Sequence, residues 1–161
     1  PWDGAAALLK EHGLEGVHSP WFYRLADAPH HYRQSARSLA LRQCAPTPKS
    51  LYDSEELAIY LLVDLLWRSE GRLTVDQPIL LRLADSDKSG KTAYLETLFT
   101  YLSCAQHPAA ACALLHIHRN TLDYRLRRME ELTPIDWSDG DLLFRLYFSL
   151  CVLRYKQLRD L

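Results

Sequence analysis

Hydrophobic positions along this chain recur mostly at helical spacing. Residues 3–12, Asp-Gly-Ala-Ala-Ala-Leu-Leu-Lys-Glu-His, predict a helix that Gly13 stops. Residues 15–19 predict a short strand before Pro20. Residues 28–43 predict a helix with Asp27 at its N-cap and Pro29 in its first turn. Pro46-Thr47-Pro48 breaks the chain, and Ser50-Leu51-Tyr52 reads as a short extended piece. The next helix, about 55–68, is capped by Asp53 or Ser54, with Glu55 and Glu56 at its positive end. From Leu57 to Trp67 it is apolar on nearly every side, so it is expected to be buried or shared with another subunit.

Ser69 to Asp76 is a polar joint containing Gly71, and a domain boundary is expected there. A helix from 78 to 84 follows, then a loop over Asp85-Ser-Asp-Lys-Ser-Gly90. Residues 92–104 place Tyr94, Leu95, Leu98, Phe99 and Leu102 on one helical face. After the segment 108–132, Pro134 forces an end, because the residue before a proline leaves the helical region. Ser138-Asp139-Gly140-Asp141 resembles a capping box with Asp for Glu, opening a last helix at about 140–158. The expected fold is mainly α: a small α+β remnant over 1–68, then a helical domain over 69–161.

The segment 108–132 carries the most specific pattern. Pro108-Ala-Ala-Ala-Cys-Ala-Leu-Leu115 is a short helix rich in small residues, followed by a tight turn and a second helix opening on Arg119-Asn120-Thr121. That is the layout of a helix-turn-helix reader of DNA. Ala111 and Cys112 are small where the second helix must cross, and Leu115 and Ile117 flank the turn. Leu122, Leu126 and Met129 form one stripe at about 100° per residue. With that stripe against the core, Asn120, Tyr124, Arg127 and Glu131 face outward. Thr121 and Arg128 occupy one shoulder, and Arg119, Asp123 and Glu130 the other, while Arg125 lies nearer the core edge and is expected to brace the fold. Asn120 can pair with adenine and Arg119 with guanine. Thr121 suits a base or a phosphate, and Tyr124 and Arg128 suit phosphates, as does the helix N-terminus; His118 and Arg127 complete the candidate DNA-binding set. The turn position after Leu115 needs φ > 0. His116 stands there instead of glycine, at a cost on the order of 1 kcal/mol.

Composition constrains this picture without supplying it. The chain has 161 residues, 48% of them hydrophobic, so it can bury a real core. Its formal charge is -1, and the second half carries 13 Lys/Arg against 12 Asp/Glu from residue 67 on. A generic polyanion coat is therefore excluded, and DNA contact has to be local and geometric. Cys44, Cys104, Cys112 and Cys151 form no C-x-x-C pair and read as reduced, which suits a cytoplasmic protein. No run of about 18 apolar residues could span a bilayer, and no secretory signal is visible. The start at Pro1 reads as a fragment of a longer protein.

Other constellations are weaker. Ser89-Gly90-Lys91-Thr92 resembles the end of a P-loop, but the first glycine is replaced by Asp85, which would repel phosphate. A P-loop-like nucleotide-binding enzyme is thus one alternative, and a helical protein-interaction module without DNA binding is another. His116 and His118 lack the third and fourth ligands of a closed metal site, so turn and cap roles are expected and no metal or cofactor is assigned. His30-His31 reads as a solvated pair. Trp21-Phe22-Tyr23 is expected to pack a loop onto the small domain, with a partner or ligand surface as the alternative. Leu142 to Leu153 is more apolar than one buried face requires, which leaves both core and a homodimer interface open. No catalytic set is spaced for nucleophilic chemistry, and a non-enzymatic role is expected.

The run Leu115-His-Ile-His-Arg-Asn-Thr-Leu-Asp-Tyr-Arg-Leu126 closely resembles the signature of PucR/CdaR-type bacterial transcription regulators. Leu95-Glu-Thr-Leu-Phe-Thr-Tyr-Leu102 and the closing apolar helix fit the same domain, over about residues 73–158. Residues 15–66 resemble the tail of a degenerate GGDEF-like domain. No Gly-Gly-Asp-Glu-Phe motif is present, so no cyclase chemistry is implied. The resemblance implies a metabolite-responsive regulator binding double-stranded DNA through the major groove as a homodimer. A small-molecule effector would act through domains upstream of this fragment.

Overall fold

The computed structural model describes residues 2–70, 77–90 and 92–160, and the fold is mainly α. The polar joint predicted for 69–76 falls largely outside the described residues, as do Pro1 and Lys91. Packing divides the chain into two compact units, one of Pro1–Leu73 with Arg154–Leu161, the other of Thr74–Leu153.

The first unit opens with α1 (Asp3–Glu11). Gly13 ends it in the left-handed region at φ 63°. That conformation lets the Gly13 N–H reach Lys10 O at 3.2 Å and the Leu14 N–H reach Leu9 O at 2.8 Å, so the last carbonyls of the helix keep donors. β1 (Gly16–His18) pairs in parallel with β2 (Leu51–Asp53), Gly16 opposite Leu51. A parallel pair needs a long crossover, and α2 (Ala28–Leu41) supplies it. Asp27 stands at the N-cap position of α2, but its side chain makes no capping bond there. Arg42, in the short 3-10 turn that follows, ion-pairs with Glu15 beside β1.

The helix expected from about 55 becomes α-helical only at Ala58, as α3 (Ala58–Glu70). Before it, tight turns bring the Leu57 N–H to Ser54 O and the Ala58 N–H to Glu55 O. Asp53 caps this entry, its Oδ1 accepting the Glu55 amide at 2.9 Å, whereas Ser54 Oγ is buried with no hydrogen bond among the described residues. Leu57, Tyr60 and Val63 are buried, but Leu62 and Leu65 on the far side are exposed, so only one face of this apolar helix is covered.

The Trp21-Phe22-Tyr23 cluster corrects the sequence-based expectation. Trp21 is 76% and Tyr23 99% exposed, and only Phe22 finds a partner, stacking on His31 with centroids 4.7 Å apart. Pro20 and the short turn over Leu25–Asp27 hold this segment extended along the surface, so its rings have no layer to pack against.

In the second unit, α4 (Pro78–Ser89) runs through the stretch expected to be a loop. Its Asp87 carboxylate accepts the Tyr94 amide at 2.7 Å and the Leu95 amide at 3.0 Å, capping α5 (Tyr94–Ser103) from a neighbouring helix. Two short helices follow, α6 (Pro108–Leu115) and α7 (Arg119–Leu132). α8 (Gly140–Arg159) closes the chain. The expected capping box is displaced by one residue. Asp139 accepts the Leu142 amide at 2.9 Å, while the Ser138 hydroxyl and amide both donate to Asp136. Leu83, Leu98, Phe99, Ala111, Leu122, Met129 and Leu146 form a core that excludes water almost completely. Phe99 stacks on Tyr147 of α8 at 5.8 Å. Cys44, Cys104, Cys112 and Cys151 are not joined by disulfides.

Residues of α8 from Arg154 onward belong to the first unit. There Asp64 is nearly buried, and a bare carboxylate in that position would be costly. Tyr155 donates to its Oδ1 at 2.6 Å and Arg68 to its Oδ2 at 2.8 Å. Burial, and then the bond to Asp64, push the Tyr155 phenol up to about 12, against about 10 for an ordinary tyrosine. A raised folded-state value gives stability that is complete below the unfolded value and lost as pH climbs through the folded one. Tyr155→Phe is expected to lower stability by about 1–3 kcal/mol at neutral pH, because Asp64 loses a donor. The same substitution should flatten the loss of stability between pH about 10 and about 12. Urea unfolding across a pH series measures both effects.

Candidate nucleic-acid interface

The geometry of the site begins with the turn between α6 and α7. His116 adopts φ 52°, ψ 41°, the left-handed conformation predicted for it. This lets the Ile117 N–H donate back to Cys112 O at 3.2 Å and redirects the chain within three residues. His118 then enters extended backbone and caps α7, its Nδ1 accepting the Asn120 amide at 3.2 Å. His107 does the same for α6, its Nδ1 accepting from Ala110. The expected turn role is met by the His116 backbone and the expected cap role by the His118 side chain. Nothing in the sequence reading singled out His107, although a residue just before Pro108 is a natural cap position.

α7 is buried on one side only. Leu122 and Met129 are fully covered and Leu126 partly, against α4, α5 and α6. Ala111 is completely buried at the crossing with α6, while Cys112, Leu115 and Ile117 are half-buried. Arg125 reaches inward and donates from Nη1 to Thr97 Oγ1 at 2.9 Å, while that hydroxyl donates to Ala93 O at 2.6 Å. It braces α7 on α5. Thr97 was not foreseen, because no local spacing links it to a residue 28 positions away.

The remaining face points to solvent. His118, Arg119, Asn120, Thr121, Tyr124 and Arg127 are exposed, with Tyr124 at 58%, and Arg128 is half-buried. These side chains differ in what already holds them. Arg119 pairs with Asp123 one turn on at 2.8 Å. Arg128 pairs with Glu131 and also bonds the Tyr94 hydroxyl, and these contacts raise its already high pKa. Arg127 has no ion pair among the described residues, and the side chains of Asn120, Thr121 and Tyr124 make no hydrogen bond there. Tyr101 lies close to the N-terminal end of α7. Burial raises its phenol pKa, the positive charge of Arg119 opposes that, and Asp123 adds to it. Tyr101 also meets Trp137 edge-on at 5.5 Å, and Trp137 donates to Glu130 at 2.7 Å.

Ser89 is the last residue of α4 and Gly90 its C-cap, so this stretch follows a helix and lacks the strand-to-helix geometry of a P-loop. Its Lys91 lies outside the described residues. Asn120 and Tyr124, which a helix serving only protein contacts would pack away from solvent, are both exposed. Arg128 is paired with Glu131, and Arg127 has no ion pair among the described residues. Among the described residues no three His, Cys, Asp or Glu gather as a metal site, and no helix there is long and apolar enough to cross a membrane.

Residues 94–152 match the family described as the PucR C-terminal helix-turn-helix domain. The chain is 34% identical over 107 residues to the proline-responsive transcriptional activator PutR of Bacillus subtilis (strain 168), covering 65% of this chain and 26% of PutR. It is 30% identical over 119 residues to the carbohydrate diacid regulator of Escherichia coli (strain K12), covering 74% of this chain and 30% of that protein. Over 82 residues it is 42% identical to the transcriptional activator PmfR of Paenarthrobacter nicotinovorans, covering 50% of this chain and 17% of PmfR. The chain therefore spans less than a third of the length of each of these relatives. No solved structure matches the chain significantly.

His116→Gly tests the turn. Left-handed backbone costs a side-chain-bearing residue about 1–2 kcal/mol, and glycine loses about 0.5–1 kcal/mol more conformational freedom on folding. Strain relief wins, so the substitution is expected to stabilise the chain by up to about 1 kcal/mol in equilibrium urea unfolding.

Proposed function

Residues 94–152 belong to the PucR C-terminal helix-turn-helix family, a DNA-binding domain of transcriptional regulators, and from that premise we propose that this chain reads duplex sequence by laying α7 in the major groove. The observation that carries the proposal is the exposed row at the start of α7, held out by a buried Leu122–Met129 stripe. A recognition helix meets base edges with its N-terminal residues. Asn120 has a free amide able to make two bonds to adenine. Arg119 reaches guanine once it exchanges Asp123 for the base, and Thr121 lies beside both. Tyr124, Arg127 and Arg128 take the backbone, Arg127 most directly because no carboxylate has to release it. His118 keeps Nδ1 on the helix and has only Nε2 to offer a phosphate.

The wider function is proposed on the same footing. The chain acts as a cytoplasmic, non-enzymatic regulator that binds as a homodimer, its two α7 helices reading half-sites about 34 Å apart or at a multiple of that spacing. PutR is proline-responsive by name, which supports a small metabolite as the signal that sets DNA occupancy here too.

Asn120→Ala and Arg127→Ala separate the two kinds of contact. In a genomic-fragment binding screen at two salt concentrations, Asn120→Ala should lose about 1–3 kcal/mol of discrimination at the adenine position. Arg127→Ala should weaken all sites alike and reduce the salt slope by about one ion. If Asn120→Ala selects the same fragments with unchanged strength, base reading by α7 is wrong.

A further inference from the structure

The first unit carries a cleft that DNA reading leaves unused. Residues of α2 and α3 line a cavity of about 380 Å³, inside the range of roughly 300–1,000 Å³ usual for small-ligand sites. Its floor is the uncovered face of α3, where Leu62 and Leu65 remain 48% and 59% exposed. Its wall is α2, which presents Arg33 and Arg37 one turn apart. Neither arginine has an ion pair or a side-chain hydrogen bond among the described residues. The one acid lining the cavity is Asp64, and both of its oxygens are already engaged, by Tyr155 and Arg68. A smaller hollow of about 180 Å³ shares Arg37, Asp64 and Arg68 and adds Arg159. The cleft thus holds an excess of positive charge beside an apolar floor, all of it within one unit.

We propose that this cleft binds a small amphipathic carboxylate, its carboxylate between Arg33 and Arg37 and its hydrocarbon body on Leu62 and Leu65. Two guanidinium forks on one helix face suit the planar two-oxygen geometry of a carboxylate. The leucines explain why a bare inorganic anion is the poorer fit: phosphate would leave that apolar surface wet and gain nothing from it. The size of the recess favours a molecule over a macromolecular strand, whose backbone would only graze the rim.

The test uses sodium octanoate as probe on the full chain, followed by calorimetry and by backbone amide shifts. Acetate removes the tail, 1-octanol removes the charge, and inorganic phosphate replaces the carboxylate. Octanoate is expected to bind saturably and at least tenfold more tightly than any of the three, with shifts centred on α2 and α3. Binding should fall at least tenfold in the Arg33→Gln/Arg37→Gln double variant and in Leu62→Gln. All three positions are exposed, so thermal unfolding of the variants should match that of the unchanged chain. Absence of saturable octanoate binding, equal binding by the double variant, or phosphate binding as tight as octanoate would each overturn the proposal. DNA binding through α7 is read separately, so failure here leaves that proposal standing.

Discussion

The one-sided burial of α7 is the constraint on which the proposed interface depends. Leu122 and Met129 are sealed against α4, α5 and α6, and side chains one or two positions away from them are carried round to solvent by helical geometry. Each fully buried large apolar side chain contributes roughly 1.5–3 kcal/mol. The contribution of a polar contact on the outer face is smaller, because water competes for it. The apolar stripe therefore decides the orientation, and the polar row follows. Arg125 locks that orientation from the side by bonding Thr97, which in turn is tied to the α5 backbone.

The outer face is not a uniform basic surface. Arg119 and Arg128 are each paired with an acid on the same helix, and exposed pairs of this kind contribute little because water screens them. Exchanging such a partner for a guanine edge or a phosphate is therefore cheap, and until then the pair keeps the arginine extended along the helix. This agrees with a chain whose formal charge is -1: selectivity has to come from geometry at a few side chains, because no long-range field is available to hold DNA indiscriminately.

The first unit follows a different rule. There a charged group is buried and satisfied. Asp64 is nearly buried, and its two donors come from α3 itself and from the end of α8. Trp67 packs on the Tyr155 ring at 5.6 Å, adding apolar contact to the same locus. With Asp64 satisfied, Arg33 and Arg37 of the facing helix have no ion pair among the described residues, and this gives the α2–α3 cleft its positive character.

Much of this was legible along the chain. The helix periods, Gly13 as a stop, the left-handed residue at 116, the cap at His118, the Leu122–Met129 stripe and the break at Pro134 are all short-range features. Each depends on backbone sterics or on side chains within about one or two helical turns, so neighbouring letters suffice to specify them. Tertiary structure decided what no local window contains. Arg125 found Thr97, 28 positions away, and Tyr155 found Asp64 from 91 positions away. The same level of structure left Trp21 and Tyr23 in water and Leu62 and Leu65 uncovered. Hydrophobicity states only that an apolar surface gains by being covered; whether another element arrives to cover it depends on how the chain folds back.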